Sequence, residues 1–127
     1  MKLFLDTSVL LSGILRRNNH SWRLLNSKFE FIINEFVIIE FRRQLKKFGY
    51  SEEMTNALVD SVVQKCRVAK KPKKEEFAKF RLRDKSDRPI VCSTVKEKCD
   101  FLVTEDEHLK IDAQKYIKTV IPRDLIL

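Results

Sequence analysis

Short apolar runs alternate along this chain with longer stretches in which apolar residues recur every three or four positions. Leu3-Phe4-Leu5 is a run of strand length that stops at Asp6. Val9, Leu10, Leu11, Ile14 and Leu15 then keep helical spacing, and Thr7 or Ser8 is placed to cap that helix. A second helical piece centres on Trp22, Leu24 and Leu25. Residues 29–33 are aromatic and β-branched and predict a second strand. Asn34 suits the N-cap of a helix from Glu35 to about Lys47, which Gly49 ends; its apolar stripe is Val37, Phe41, Leu45 and Phe48. Ser51 opens another helix, with Glu52 and Glu53 in the first turn and Met54, Ala57, Leu58, Val62 and Val63 as its apolar face.

Residues 66–82 are Lys-rich, are broken by Pro72, and leave room for one or two short edge strands. Pro89 fits the first turn of a helix bearing Ile90, Val91, Val95 and Cys99. Phe101-Leu102-Val103 is a third buried strand, and residues 116–121 a fourth. Strands alternating with helices predict an α/β fold: a central, mainly parallel sheet flanked by helices.

A length of 127 residues predicts a single domain over 1–127, large enough to fold around its own core. Two Gly and three Pro are too few for a turn-rich β-sandwich. Cys66, Cys92 and Cys99 are odd in number and lack a CxxC motif, so neither a disulfide framework nor a zinc site is indicated. No apolar run approaches the ~20 residues that span a bilayer, and Asp6 interrupts any signal-peptide core, so the expectation is a cytoplasmic protein with no membrane partner.

Charge sharpens this picture because it is local. Lys and Arg total 26 and Asp and Glu 18, a formal net charge of +8. Residues 65–85 hold ten basic and three acidic residues, so +7 of that excess lies in one segment. A concentrated basic stretch points to a polyanion. Lys70, Lys71, Lys73 and Lys74 are its centre, and Arg83, Lys85 and Arg88 carry it to two acids, Asp84 and Asp87. Phe77 and Phe80 interleave with the cations; core packing is the favoured role for both, with base stacking the alternative.

The acids are the candidate chemistry. In parallel sheets, sites form at the C-terminal ends of strands. Asp6 ends the first apolar run, and Asp106 follows the 101–103 run after Thr104 and Glu105. Glu40 sits inside the apolar stretch 36–41, where a carboxylate needs a cation, a donor or a metal. An oxygen-only donor set suits Mg²⁺ or Mn²⁺ rather than zinc. Such ions neutralise a phosphoryl oxygen and activate water for in-line attack. Taken singly, Asp6, Asp84 and Asp87 could be helix caps, Glu40 a partner of Arg43, and Asp106 a turn residue.

In this order the residues resemble the PIN-domain nucleases, over nearly the whole chain. The resemblance is carried by Leu5-Asp6-Thr7-Ser8-Val9-Leu10, by Asp84-Lys85-Ser86-Asp87-Arg88-Pro89-Ile90, and by the stretch from Cys99 to Leu109 with its Thr104-Glu105-Asp106. VapC-like toxins and a neighbouring group of toxin-type PIN proteins are most similar in pattern. In the second group an extra Asp stands three residues before the third acid, as Asp84 stands before Asp87. The resemblance implies a three-layer PIN-like fold and metal-dependent cleavage of RNA by a toxin that a protein antitoxin holds inactive. Homodimers are common in such a family. The quartet it implies is Asp6, Glu40, Asp87 and Asp106, with Asp84 as a further candidate ligand and Ser8 and Thr104 as nearby polar positions. Glu105 departs from the family pattern, which often has Gly or Arg there. A non-catalytic RNA- or partner-binding module and a DNA-directed nuclease are the alternatives.

Overall fold

The computed structural model describes residues 1–126. Five strands form one sheet: β1 (Lys2–Leu5), β2 (Glu30–Ile33), β3 (Cys66–Val68), β4 (Phe101–Val103) and β5 (Thr119–Val120). Their order is β3-β2-β1-β4-β5, and every neighbouring pair is parallel. Seven helices flank the sheet: α1 (Thr7–Leu15), α2 (His20–Leu25), α3 (Glu35–Lys47), α4 (Glu52–Val63), α5 (Lys74–Phe77), α6 (Arg88–Lys96) and α7 (Glu107–Ala113). This is the parallel α/β architecture, a central sheet flanked by helices, that the pattern predicted.

Apart from Lys2 and Glu30 at their starts, the central strands are apolar because both of their faces are covered. Leu3, Phe4, Leu5, Ile32, Ile33, Leu102 and Val103 are fully buried. In register, Leu3 lies between Phe31 of β2 and Phe101 of β4. The chain builds outward from β1 through β2 to β3, then crosses back to the other side of β1 with β4. The strand order therefore reverses between β1 and β4, which leaves a crevice at their C-terminal ends.

Local signals set the helix starts. Asn34 Oδ1 accepts from Val37 N (3.1 Å) and caps α3. Ser51 Oγ accepts from Met54 N (3.1 Å) and caps α4. Gly49, at φ 92°, takes the left-handed turn after α3 at no steric cost. Gly13 admits α2 to α1: a Cβ there would meet Leu25 Cδ1 at 2.4 Å.

Several details differ from the sequence expectation. Asp6, not Thr7 or Ser8, occupies the N-cap position of α1, and it makes no capping hydrogen bond. Phe48 lies beyond the last turn of α3 and is exposed. The buried face of α4 is Thr55, Val59 and Val62, at i, i+4 and i+7, so Met54 and Ala57 turn outward. Cys99 falls after α6, past the positive-φ residue Lys98. The last strand is only Thr119–Val120; Tyr116 precedes it, and its hydroxyl accepts from Arg81 N at 2.8 Å. Within the basic segment the structure forms one edge strand, β3, and the short helix α5. No helix among the described residues is long and apolar enough to cross a membrane.

Candidate active site

A cleft of about 540 Å³ opens at the C-terminal ends of β1 and β4. Asp6, Ser8, Glu40, Asp84, Asp87 and Asp106 all line it. Adjacent parallel strands bring Asp6 and Asp106 to one edge, Leu5 pairing with Val103 just before them. The turn Lys85–Asp87 and the start of α6 supply Asp84 and Asp87. One face of α3 supplies Phe36, Ile39, Glu40, Arg43 and Gln44, at i, i+3, i+4, i+7 and i+8.

Asp6 is the most deeply set acid, with 9% of its surface exposed. Its Oδ2 accepts from Thr104 Oγ1 (2.8 Å) and from Ser8 Oγ (2.9 Å). Burial pushes its carboxyl above the ordinary range. The two hydroxyls, and the nearby backbone amides of Thr7 and Ser8, act in the opposite direction. The same hydroxyls reach the other strand end: Thr104 Oγ1 accepts from Asp106 N (3.0 Å), and Ser8 Oγ accepts from Glu105 N (2.9 Å). Thr104 and Ser8 thus lock the two strand ends into one frame. Asp106 caps α7, its Oδ1 accepting from His108 N (2.9 Å) and Leu109 N (3.3 Å). That leaves its Oδ2 without a hydrogen-bond partner among the described residues.

Asp87 is treated differently. It holds the N-cap position of α6 but makes no capping bond, and no hydrogen bond to its carboxylate exists among the described residues. Partial burial, then the negative charges of Asp6, Asp84, Asp106 and Asp112, push its carboxyl up to about 7. Asp84 is satisfied locally by Ser86 N (2.9 Å) and Ser86 Oγ (2.7 Å), which lower its carboxyl. Glu40 is also satisfied: Arg43 ion-pairs with Oε2, and Gln44 Nε2 donates to Oε1 at 2.9 Å.

The cleft is therefore an oxygen-donor site with unbalanced negative charge at Asp87, and a hard divalent cation fits that deficit. Asp6, Asp87 and Asp106 are the acids at its centre, with Asp84 and Glu40 at the margins. Among the described residues, no three His, Cys, Asp or Glu side chains stand close enough together to hold a metal ion as they are arranged here. Glu105 turns from the cleft. Its Oε1 accepts from the buried Ser21 Oγ (3.0 Å), and it lines a separate depression with Glu107 and Lys110.

The predicted cations fall elsewhere. Lys70, Lys71, Lys73 and Lys74 are exposed and do not line the cleft, although Lys71 Nζ lies 5.3 Å from the centre of the Phe36 ring on its wall. Arg83 ion-pairs with Asp112 at 2.8 Å. Lys85 lies in the turn beside the acids, and Arg88 opens α6 with its buried Nε unpartnered. Phe80 is buried against Tyr116, and Phe77 packs edge-on to Phe36 at 5.9 Å, so both are packing residues. Sequence reasoning missed Arg43 and Gln44 as cleft residues. Their signal was helical spacing from Phe36 and Glu40.

Comparison with solved structures returns the same fold at low identity. VapBC-1 from nontypeable Haemophilus influenzae has a TM-score of 0.74 at 12% identity, covering 97% of this chain and 99% of that one. VapBC2 from Rickettsia felis, bound to a DNA fragment from its promoter, has a TM-score of 0.70 at 15% identity, covering 95% and 97%. VapC20 from Mycobacterium tuberculosis, a Sarcin-Ricin loop cleaving toxin, has a TM-score of 0.68 at 16% identity, covering 91% and 97%. No curated protein matches the sequence significantly. A family model described as the PIN domain matches residues 2–108, a span that contains every acid of the cleft, and the chain belongs to the PIN domain family.

Proposed function

We propose that this chain is a Mg²⁺- or Mn²⁺-dependent endoribonuclease and the toxin half of a toxin–antitoxin pair. The observation that carries the reading is the gathering of Asp6, Asp106 and an unpartnered Asp87 in one cleft at the strand-order reversal. Nucleases of this family hydrolyse nucleic acids and typically use divalent metal ions. A structurally similar protein is a Sarcin-Ricin loop cleaving toxin, and others are VapBC assemblies, which supports RNA as substrate and a protein antitoxin as partner.

When bound, Mg²⁺ or Mn²⁺ supplies the positive charge that polarises the phosphodiester and activates water. Asp6, Asp87 and Asp106 would hold it, with Glu40 and Asp84 as the outer members. Ser8 and Thr104 fix the Asp6 carboxylate and the Asp106 backbone, so the acids are oriented before substrate arrives. Lys70, Lys71, Lys73 and Lys74 draw in the phosphate backbone, with Lys85 and Arg88 beside the acids; Arg83 contributes through its hold on Asp112. The chain's two histidines, His20 and His108, are both outside the cleft, so proton transfer falls to carboxylates and water.

The test is cleavage of matched RNA and DNA oligonucleotides in Mn²⁺ buffer. RNA should be cut, and Asp6→Asn should lower the rate by roughly 10²–10³-fold or more while the circular-dichroism melt is retained. Undiminished cutting by Asp6→Asn, or equal cutting of DNA, would overturn the reading.

A further inference from the structure

Five acids line the cleft and one cation does. Among the described residues of its lining, Arg43 is the sole Lys, Arg or His. Two-thirds of its side chain is exposed, and its only hydrogen-bond partner among the described residues is Glu40. A guanidinium has five N–H donors in a rigid fork. Its bond to Glu40 uses Nη2 alone, so further donors remain on an exposed side chain that lines the acidic cleft. A cation held there against Glu40 is oriented to receive an anion.

The position along α3 matters as much as the charge. Phe36, Glu40 and Arg43 share one helix face. Lys71 sits over the Phe36 ring at one end of that strip, and Arg43 stands at the other. Seven residues of helix separate Phe36 from Arg43, about 10 Å of rise. Glu40 lies between them. A polyanionic strand gripped at both ends would pass its backbone across the acids. Of the cations predicted from the sequence, Arg83 is committed to Asp112, Lys70, Lys73 and Lys74 lie outside the lining, and Lys71 alone is tied to it, through the Phe36 ring.

We propose that Arg43 is the cleft's phosphate-binding residue, gripping the backbone of a single-stranded RNA that lies along α3 from Lys71 to Arg43, with Glu40 as the positioning residue that orients the guanidinium. The substrate class rests on the ribonuclease reading above; the binding role of Arg43 does not require that cutting occur.

The experiment measures binding of a fluorescent single-stranded ten-nucleotide RNA by anisotropy, without divalent metal, over a range of salt. It compares the wild type, Arg43→Ala, Arg43→Lys, Glu40→Gln and the Glu40→Gln/Arg43→Ala double variant. Arg43→Ala should weaken binding about tenfold and reduce the salt slope by about 0.7, the value of one single-strand phosphate contact. Arg43→Lys should keep the slope yet bind less tightly, because the charge remains and the fork is lost. Loss of Arg43 should still weaken binding in the Glu40→Gln background. Unchanged affinity and slope in Arg43→Ala would overturn the proposal. So would an Arg43→Ala effect that vanishes once Glu40 is neutral, since Arg43 would then be only a counter-ion. Should Arg43→Ala melt early, Arg43→Lys carries the test, and binding equal to wild type would overturn it. RNA binding that depends on Arg43 in a chain that never cuts RNA would defeat the ribonuclease reading alone. Cutting with no Arg43 dependence of binding would defeat this one alone.

Discussion

The two ends of the parallel sheet carry the same residue types and treat them in opposite ways. At the N-terminal edge every acid is answered. Asp100 Oδ2 accepts from Lys2 N at 2.7 Å, and Arg67 bridges Glu97 at 2.8 Å and Glu30 at 3.6 Å. At the C-terminal edge, among the described residues, Asp87 has no donor, Asp106 keeps an oxygen open, and Asp6 is buried with only neutral donors. Acids at the N-terminal edge are paired; those in the cleft are left short of charged partners. Burying an unpaired charge costs stability.

Neutralising one acid at each end breaks the comparison most sharply. Asp6→Asn should remove cleavage as stated above. Asp100→Asn should leave cleavage intact and cost about 0.5–1.5 kcal/mol in a urea melt, the worth of one hydrogen bond. Next in size is the basic segment. Replacing Lys70, Lys71, Lys73 and Lys74 together by Ala should flatten the salt dependence of RNA binding by up to about 0.7 per lost contact, while metal affinity measured by calorimetry is unchanged. An unaltered slope would assign those charges to solubility or to an antitoxin surface.

Asp87→Asn should stabilise the metal-free protein by about 1–3 kcal/mol, a figure discounted for partial exposure. The sign follows from its raised carboxyl. The folded state holds the proton more tightly than the unfolded chain, so wild-type stability falls as pH rises from about 4 to about 7, and the variant should lose that dependence. Melts in EDTA across that window check it. The smallest effect belongs to the paired end. Arg67→Ala should leave the urea midpoint almost unmoved, because its ion pairs are exposed to solvent.

Much of this was legible in the sequence because it is local. The runs at 3–5 and 101–103 are apolar on both faces, and Asn34 and Ser51 announce their helices through side chains that reach three residues on. Asp6 and Asp106 were legible as strand-end residues, and Glu40 as a carboxylate inside an apolar stretch. The rest depended on tertiary contact. The inward face of α4 is shifted by one position because Thr55 is buried where Met54 was expected, and no local signal decides between them. The last strand is short because Tyr116 is drawn to Arg81 N from a distant loop. Arg43 reads as the partner of Glu40, which it is. Its place in the cleft emerges only once α3 is laid against α1 and α6.

One amide sets that placement. Asn34 is fully buried; its Oδ1 caps α3 while its Nδ2 donates to Ser93 Oγ (2.8 Å) and Pro89 O (3.2 Å) of α6. The wall bearing Glu40 and Arg43 and the wall bearing Asp87 are thereby clamped like the two arms of a caliper. A shift of either helix carries the other, so the gap between those groups is held constant while the outer loops adjust around it.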